Sequence, residues 1–274
     1  MQNSLPLDYL LNAVRALARV AGAATLEVYH TRFAATEKED KSPLTEADLR
    51  SHACIVEGLR EVAPQWPILS EEGVLADYAT RSSWNTYWLI DPLDGTREFI
   101  RRNGEFTVNI ALIHEHVPIL GVVLCPVTQV LYSGAMGLGA FQETEPHTRR
   151  SIEVARTVPS PPRVVTTRSH GTQRLQQALT ALGPQQRMTM GSSLKLCLIA
   201  AGEADLYPRL GPTSEWDTAA AHAVVAAAGG EVYTLDGQPL RYNTKESLLN
   251  PDFLVCAGEP QAWLARLGLV PHCP

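Results

Sequence analysis

Long apolar runs, paired cysteines and an excess of positive charge are all missing from this sequence of 274 residues. No stretch approaches the roughly 20 uninterrupted apolar residues that a membrane-spanning helix requires. The five cysteines are an odd number, widely scattered and without a C-x-x-C pair, which argues against a disulfide framework or a zinc knuckle. We therefore predict a protein of the reducing cytoplasm without a transmembrane segment.

The formal net charge is −6, so the chain has no broad cationic field for a nucleic-acid polymer. An anionic ligand would have to be held by local cations, helix N-termini or metal ions. The N-terminal SLPLDYLLNAVRALARVAGAATLEVY could be mistaken for a signal peptide, but Asp8, Arg15 and Arg19 interrupt its apolar residues at helical intervals. This stretch is predicted to be an amphipathic helix of the mature protein.

The order of patterns predicts two lobes. A polar loop, TEKEDKSPL, separates the first helix from a second helix in TEADLRSHACIVEGLREV, and short apolar runs over 108–141 predict an antiparallel meander. From Arg163 onward strands and helices alternate in α/β fashion. Because VPSPP would stiffen a connector, we expect an N-terminal lobe over 1–160 and a C-terminal lobe over 161–274.

One apolar run, YWLIDPLDGTREF, continues directly into acids. Asp91 and Asp94 are predicted to lie where a buried strand leaves the sheet, with Pro92 and Gly95 forcing a sharp turn that aims both carboxylates at one point. For an isolated D-x-x-D-G the commoner interpretation is a turn in which the carboxylates accept backbone N–H groups. Two other segments also place acids at the ends of predicted elements, which favours the hypothesis that all these acids form one site.

Those segments are PILSEEG, which ends a second apolar strand in Glu71 and Glu72, and SEWDTAAAHAVVAAAGG, which places Asp217 at the start of a helix. Taken singly, the glutamates could be solvated, Asp217 could be a helix cap, and Asp48 could be a first-turn acid behind a Thr45 cap. Taken together, all-oxygen ligands suit a hard cation such as Mg²⁺. The chemistry indicated is metal-assisted hydrolysis of a phosphate ester.

A different phosphatase class remains as the alternative mechanism. Haloacid-dehalogenase phosphatases also end a buried strand in acids, as D-x-D-G-T, and use the first Asp as the nucleophile. In this chain Asp91 and Asp94 are separated by two residues instead of one, which redirects the side chains.

The elements SEE, DPLDGT and WDTAA, in this order, resemble the signature of the inositol-monophosphatase-like superfamily of lithium-sensitive, magnesium-dependent phosphatases. The stretches DPLDGTREFIRRNGEFTVNIALI, GSSLKLCLIAAGEADLYPRLGPTSEWDTAAAHAVV and LLNPDFLV are similar to the CysQ-type 3′(2′),5′-bisphosphate nucleotidases of bacteria. Arg97-Glu98-Phe99 replaces the Thr-Asn-Phe usual in inositol monophosphatases, which argues against inositol phosphate as the main substrate. The resemblance implies a layered α-β-α-β-α sandwich, an α+β lobe followed by an α/β lobe.

The resemblance also implies roles for these residues. Two or three Mg²⁺ ions are expected, one held by Glu71, Asp91 and the Leu93 carbonyl, and a second held by Asp91, Asp94 and Asp217. Thr96 would orient the attacking water with Asp48 accepting through the Thr hydroxyl, while Glu72 would help to hold an ion or water. The N–H groups of Gly95 and Thr96 would donate to the phosphate. Glu71, Asp94 and Asp217 would also contact the substrate.

The implied substrate is a small nucleotide, adenosine 3′,5′-bisphosphate, a by-product of sulfate activation that would be hydrolysed to AMP and phosphate. His170, Ser192, Lys195 and Arg209 would lie near its 5′-phosphate and base. Judged alone, Lys195 could be a surface lysine and His170 a turn histidine. A non-catalytic nucleotide-binding protein is the competing class, against which Thr96 and the full acid set count. Bacterial relatives further suggest peripheral contact with the cytoplasmic face of the inner membrane, and the oligomeric state stays open.

Overall fold

Two mixed β-sheets and the helices around them are seen in a computed structural model, which describes residues 5–37, 43–145, 148–168 and 171–269. In chain order the elements are α1 (Leu7–Tyr29), β1 (Ala35–Glu37), β2 (Pro43–Thr45), α2 (Glu46–Val62), β3 (Ile68–Ser70), α3 (Tyr78–Arg81), β4 (Thr86–Asp94), α4 (Thr96–Ile100), β5 (Thr107–His114), β6 (Val117–Cys125), β7 (Val130–Ala135), β8 (Gly139–Glu145), β9 (Thr148–Ile152), β10 (Arg163–Thr167), α5 (Gln173–Leu182), β11 (Gln186–Met190), α6 (Leu194–Ala200), β12 (Leu206–Arg209), a 3₁₀ turn (Glu215–Asp217), α7 (Ala219–Ala227), β13 (Gly230–Thr234), β14 (Phe253–Ala257) and α8 (Gln261–Arg266).

The larger sheet has seven strands in the order β3-β4-β5-β6-β7-β8-β9. Strand β3 runs parallel to β4, and every other pair in this sheet is antiparallel. The predicted meander is therefore confirmed. The predicted loop TEKEDKSPL is partly wrong, because its ends belong to the short antiparallel β1-β2 ladder that pairs Ala35 with Thr45. Ladder hydrogen bonds join backbone groups, so polar side chains do not prevent them.

The smaller sheet has five strands in the order β11-β10-β12-β14-β13. Its strands β11, β10 and β12 run parallel, and β14 is antiparallel to both of its neighbours. The chain moves from one sheet to the other between Ile152 and Arg163. The division into lobes at 160/161 remains a prediction.

Helices cover both sheets on both faces, which gives the predicted α-β-α-β-α order of layers. On β4, Trp88 and Ile90 point to one face and pack with residues of α1 and α2 such as Val14 and Ile55. Leu89 points to the other face, into the core shared with α6 and α7 between the two sheets. Helices α5 and α8 cover the far face of the five-stranded sheet with a cluster that includes Leu179, Leu264 and Leu254.

Helix α7 lies unusually close to the seven-stranded sheet. A Cβ atom added at Gly121 of β6 would lie 2.0 Å from the Ala220 carbonyl oxygen, and one at Gly134 of β7 would lie 2.9 Å from the Ala227 Cβ. The glycines and the alanine-rich helix therefore fit together through their small side chains. This contact fixes where α7 begins, and so where the preceding acid, Asp217, is presented.

Among the described residues, no helix combines the length and the apolar character needed to cross a membrane.

The contact at Gly121 gives a test of this packing. We expect Gly121→Ala to lower the free energy of unfolding by about 1–3 kcal/mol or more, because the added methyl group collides with backbone that can move only by displacing α7. Urea unfolding would measure the change. Gly171→Ala is the control, since its nearest neighbouring atom would be 3.5 Å away. A Gly121→Ala protein as stable as wild type would show that α7 is not held at this distance.

Candidate active site

A β-bulge in β4 presents Asp91 and Asp94. Asp91 pairs with Asn109 of β5 and Asp94 pairs with Thr107, so β4 has one residue more than β5 between these pairs. Pro92, which has no N–H to donate, lies in this interval where regular ladder bonds are interrupted. We predicted that the strand would leave the sheet here at a sharp turn. The strand instead continues to Asp94, and the bulge redirects the side chains.

Parallel pairing of β3 with β4 brings Glu71 to Asp91. Ser70 is in register with Ile90, and the Glu71 N–H donates to the Ile90 carbonyl at 3.3 Å. Because parallel neighbours end at the same edge of a sheet, the residues that follow Ser70 and Ile90 lie side by side.

Asp217 reaches the same place from the second half of the chain. It closes the 3₁₀ turn that precedes α7, and its Oδ2 accepts the Ser214 N–H at 2.9 Å. The expected helix start is therefore a separate turn, and Asp217 has the capping role that we considered for it. Carboxylate oxygens of Glu71, Asp91 and Asp217 nevertheless all lie within 4.8 Å of one another. The Asp217 side chain therefore both caps the 3₁₀ turn and lies close to the other two carboxylates.

Burial and mutual repulsion raise the pKa values of the three aspartates at this site. Burial, and next the charges of Glu71, Asp94 and Asp217, raise the pKa of Asp91 well above its ordinary value. Burial also raises the pKa of Asp217, and it raises the pKa of Asp94 to about 6 although Lys195 opposes that shift. Buried carboxylates this close together can all be ionised at neutral pH only when a cation neutralises their charge. The residues present fit a hard divalent metal ion with oxygen ligands.

A buried polar network holds Asp94. Its Oδ2 accepts the Ser193 N–H at 2.5 Å and lies 3.4 Å from Asn109 Nδ2. The Ser193 hydroxyl donates to Asn109 Oδ1 at 2.8 Å and lies 2.9 Å from the Thr107 hydroxyl. Sequence reasoning missed Thr107, Asn109 and Ser193. For Thr107 and Asn109 the signal was a pair of polar residues, two positions apart, at the start of the apolar strand TVNIALIH.

Asp48 and Thr96 are in contact, as expected. Asp48 Oδ1 lies 3.4 Å from the Thr96 hydroxyl, while its Oδ2 accepts the Thr45 N–H at 2.8 Å and the Thr45 hydroxyl at 2.6 Å. Asp48 is thus both a helix-capping residue and a partner of Thr96. Gly95, between β4 and α4, has a φ of 95°, a left-handed conformation that favours glycine.

Leu93 and Glu72 lie beside the converging acids. The Leu93 N–H donates to Asp91 Oδ1 at 3.0 Å, so this residue helps to orient the carboxylate. The Glu72 N–H donates to the Ser70 hydroxyl at 3.4 Å. Of the described residues, the group with mutually close oxygens contains Glu71 and not Glu72. The roles expected for the Leu93 carbonyl and for Glu72 remain predictions.

A cleft of about 430 Å³ adjoins these acids. Asp94, Thr96 and Asp217 contribute to its lining, and the same cleft contains the residues expected near a nucleotide: Ser192, Lys195 and Arg209. His170, the remaining residue of that prediction, lies outside the described residues. Thr167 and Tyr207 also line the cleft, and both lie in stretches, TRSH and YPRLGP, that the resemblance places at the nucleotide site. Thr213, a further lining residue, was missed, because nothing in its spacing distinguishes it from other loop residues.

Lys195 is buried, so the interpretation of a surface lysine is wrong. Its ammonium group donates to the Ser192 carbonyl oxygen and lies 5.7 Å from the centre of the Tyr207 ring. Burial lowers the pKa of Lys195 to about 8, Arg209 lowers it further, and Asp94 opposes the shift. Ser192 itself has a φ of 46° and a buried hydroxyl without a hydrogen-bond partner among the described residues.

Arg209 is held at the cleft by backbone carbonyls. Its Nε donates to Gly211 at 3.2 Å and its Nη2 donates to Pro212 at 2.6 Å. A guanidinium group has five N–H donors, so these two bonds leave capacity for an anionic ligand.

Residues 7–267 match the model of the inositol monophosphatase family. The chain belongs to the inositol monophosphatase family. It is 51% identical to the 3′(2′),5′-bisphosphate nucleotidase CysQ of Shigella flexneri over 90% of this chain and 99% of that protein. It is 42% identical to the protein of the same name from Buchnera aphidicola over 90% of this chain and 94% of that protein. The crystal structure of CysQ from Bacteroides thetaiotaomicron matches with a TM-score of 0.79 at 43% identity, over 90% of this chain and 97% of that one.

The family match, together with the similarity to CysQ proteins, confirms the predicted resemblance and fold. The enzymes of this family depend on metal ions, which agrees with the cluster formed by Glu71, Asp91 and Asp217.

The raised pKa values predict how the metal-free protein responds to pH. A raised folded-state pKa means that the folded protein binds more protons than the unfolded chain, so stability falls as pH rises from about 4 through the folded values. In the presence of a chelator we expect Asp91→Asn to increase the free energy of unfolding at pH 8 by about 1–3 kcal/mol, and to flatten its pH dependence. Urea unfolding between pH 4 and 8 measures both effects.

Asp77→Asn is the control for this comparison. Its carboxylate lies at the surface, where hydrogen bonds from Thr80 lower its pKa, so this substitution should give no gain in stability. An Asp91→Asn protein less stable than wild type in chelator at pH 8 would contradict the proposed repulsion.

Proposed function

We propose that this protein is a Mg²⁺-dependent 3′(2′),5′-bisphosphate nucleotidase that hydrolyses the 3′-phosphate of adenosine 3′,5′-bisphosphate to give AMP and phosphate. The observation that carries the proposal is one cleft that combines acids with cations. Asp94 and Asp217 line it together with Lys195 and Arg209, and Asp217 belongs to the group of converging carboxylates. The names of the CysQ relatives support the same activity.

The acids are proposed to hold two or three Mg²⁺ ions. Glu71, Asp91 and the Leu93 carbonyl would hold the first, while Asp91, Asp94 and Asp217 would hold the second, with Asp91 shared between them. When bound, such ions polarise phosphoryl oxygens and lower the pKa of a water molecule. The bulge in β4 supports this assignment, because it directs neighbouring acids of one strand to a common point.

Thr96 is proposed to orient the attacking water. Its hydroxyl lies 3.4 Å from Asp48 Oδ1, and an O–H that donates to this carboxylate has its lone pairs available to accept from water. Glu72 would help to hold an ion or water nearby. The N–H groups of Gly95 and Thr96, at the bend between β4 and α4, would donate to the phosphate.

The second phosphate of the substrate is proposed to lie against Lys195 and Arg209, with Ser192 and His170 near the nucleotide. Both cations are on the part of the cleft supplied by residues after 160, whereas Asp94 and Thr96 come from the part before it. This arrangement supports the division into an N-terminal lobe (1–160) and a C-terminal lobe (161–274), with the site at their junction.

The phosphoaspartyl mechanism is disfavoured by the position of Asp91. This side chain is 1% exposed, and its Oδ1 accepts the Leu93 N–H at 3.0 Å. A nucleophilic carboxylate needs an open approach to phosphorus, which a buried and hydrogen-bonded oxygen does not have. Direct attack by water in one step should therefore invert the configuration at phosphorus.

A phosphate-release screen tests the proposed activity. We expect rapid turnover of adenosine 3′,5′-bisphosphate with Mg²⁺, much slower turnover of inositol monophosphate, and no turnover after exhaustive chelation, because the carboxylates need the metal to act on a phosphate. Restoring Mg²⁺ should restore the rate. Turnover that survives chelation would overturn the metal assignment, and a preference for inositol monophosphate would overturn the substrate.

Arg209→Ala tests the nucleotide assignment. If Arg209 binds the 5′-phosphate, its loss should reduce kcat/KM for adenosine 3′,5′-bisphosphate roughly tenfold to a hundredfold, from about 1.5–3 kcal/mol per charged hydrogen bond. Turnover of adenosine 3′-monophosphate, which lacks that phosphate, should stay low and nearly unchanged. Steady-state kinetics on both substrates measures the difference.

Arg174→Ala is the matched control, since Arg174 is an exposed arginine that pairs with Asp252 and does not line the cleft. It should leave both substrates unaffected. Equal losses on both substrates in Arg209→Ala would mean that the substitution damages the metal site instead.

A further inference from the structure

A buried hydrogen-bond network joins the segment that follows Glu71 to the turn that carries Asp217. Its members are Arg81 at the end of α3, Asn243 in the 241–250 loop between β13 and β14, and Glu215 in the 3₁₀ turn. We propose that Glu215 and Arg81 are positioning residues for the metal centre: Glu215 fixes the Asp217 turn through Asn243, and Arg81 locks Asn243 in place. This inference rests on the proposed function.

Glu215 is a fully buried carboxylate, with 0% of its surface exposed. Its Oε2 accepts the Asn243 N–H at 2.8 Å, and Lys245 Nζ lies 3.6 Å from Oε1. The Glu215 N–H donates to the Leu248 carbonyl at 2.8 Å. Burying a carboxylate is costly, and the Asn243 N–H together with the charges of Lys245 and Arg81 offsets part of that cost. The bonds of Glu215 attach the 3₁₀ turn to the 241–250 loop.

Arg81 attaches the same loop to the first half of the chain. It is 2% exposed, and its guanidinium donates to Asn243 Oδ1, to the Glu246 carbonyl and, at 3.1 Å, to the Lys245 carbonyl. Asn243 Nδ2 donates back to the Arg81 carbonyl at 2.6 Å. Asn243 is fully buried with a φ of 55°, a conformation uncommon for a residue other than glycine. These reciprocal bonds hold it there.

The loop also holds the other side of Asp217. The Tyr242 hydroxyl donates to the Thr218 hydroxyl at 3.2 Å, and Asn250 Nδ2 lies 3.1 Å from the same oxygen. Asn250 Nδ2 donates to the Ser214 carbonyl at 2.8 Å as well. Residues on both sides of Asp217 are therefore fixed by one loop.

This arrangement has a consequence for metal binding. Mg²⁺ requires nearly ideal ligand geometry, and the residues that orient its ligands commonly change metal affinity ten- to a hundredfold when replaced. Glu71 and Asp217 come from distant parts of the sequence, and the chain Arg81–Asn243–Glu215 connects their segments without passing through the cleft. Removing Glu215 should let the Asp217 turn shift while the other acids stay in place.

Calorimetric titration of Mg²⁺ into the substrate-free protein tests the proposal. We expect Glu215→Ala to weaken Mg²⁺ binding by tenfold to a hundredfold, and Glu215→Gln to restore most of it because an amide oxygen still accepts the Asn243 N–H. Arg81→Gln should weaken binding in the same direction. Combining it with Glu215→Ala should add little, since both changes release one connection.

Asp205→Ala is the matched control. Its side chain is also 0% exposed and pairs with Arg163 at 2.6 Å, in the same half of the chain but away from the Asp217 turn. It should lower stability and leave Mg²⁺ affinity unchanged. Wild-type affinity in Glu215→Ala, or an equal loss in Asp205→Ala, would overturn the positioning role.

Two further outcomes remain decisive. If Glu215→Ala does not fold, Arg81→Gln and Glu215→Gln decide the question: wild-type affinity in Arg81→Gln overturns the connection, and weakened affinity there with near-wild-type binding in Glu215→Gln supports it. A wild-type protein that binds no Mg²⁺ and keeps its turnover in chelator would overturn the proposed function, and this inference with it. Wild-type protein that binds Mg²⁺ while all variants match it would overturn the inference alone.

Discussion

Asp91 is buried among Glu71, Asp94 and Asp217, and the repulsion of these carboxylates is the constraint on which the rest of the structure depends. Burial, and next the charges of the neighbouring acids, raise the pKa values of Asp91 and Asp217, so the metal-free site by itself works against folding. The surrounding elements must hold the carboxylates together against that force. A bulge, a parallel strand pair, a capped 3₁₀ turn and a buried polar network each restrain one of them.

The fold meets this constraint by packing in layers. Helix α7 lies between the two sheets, and it approaches Gly121 and Gly134 so closely that a methyl group added at either glycine would collide with it. The turn that presents Asp217 is therefore fixed against the sheet that presents Asp91. Ser193, at the start of α6, adds a second connection through its N–H bond to Asp94. The contacts that stabilise the core thus also fix the positions of the acids.

Local patterns predicted most of the elements, because hydrophobic periodicity and turn residues act over short distances. The amphipathic helix at the N-terminus is α1, the helix in TEADLRSHACIVEGLREV is α2, and the meander runs through β5 to β8. The prediction failed where a tertiary contact competed with a local signal. Pro92 suggested a turn, but pairing with β5 keeps the strand going as a bulge.

The sequence by itself determined which residues are candidates for the chemistry, since acids at the ends of apolar runs are visible without a structure and their spacing resembles one family. Only the tertiary structure decided which of those acids converge. Glu71, Asp91 and Asp217 meet within 4.8 Å, while the neighbouring Glu72 is not part of that group among the described residues. The contacts of Ser193 with Asp94 and of Glu215 with Asn243 were equally hidden. Convergence depends on strand register and on contacts between distant segments, and neither is encoded in local spacing.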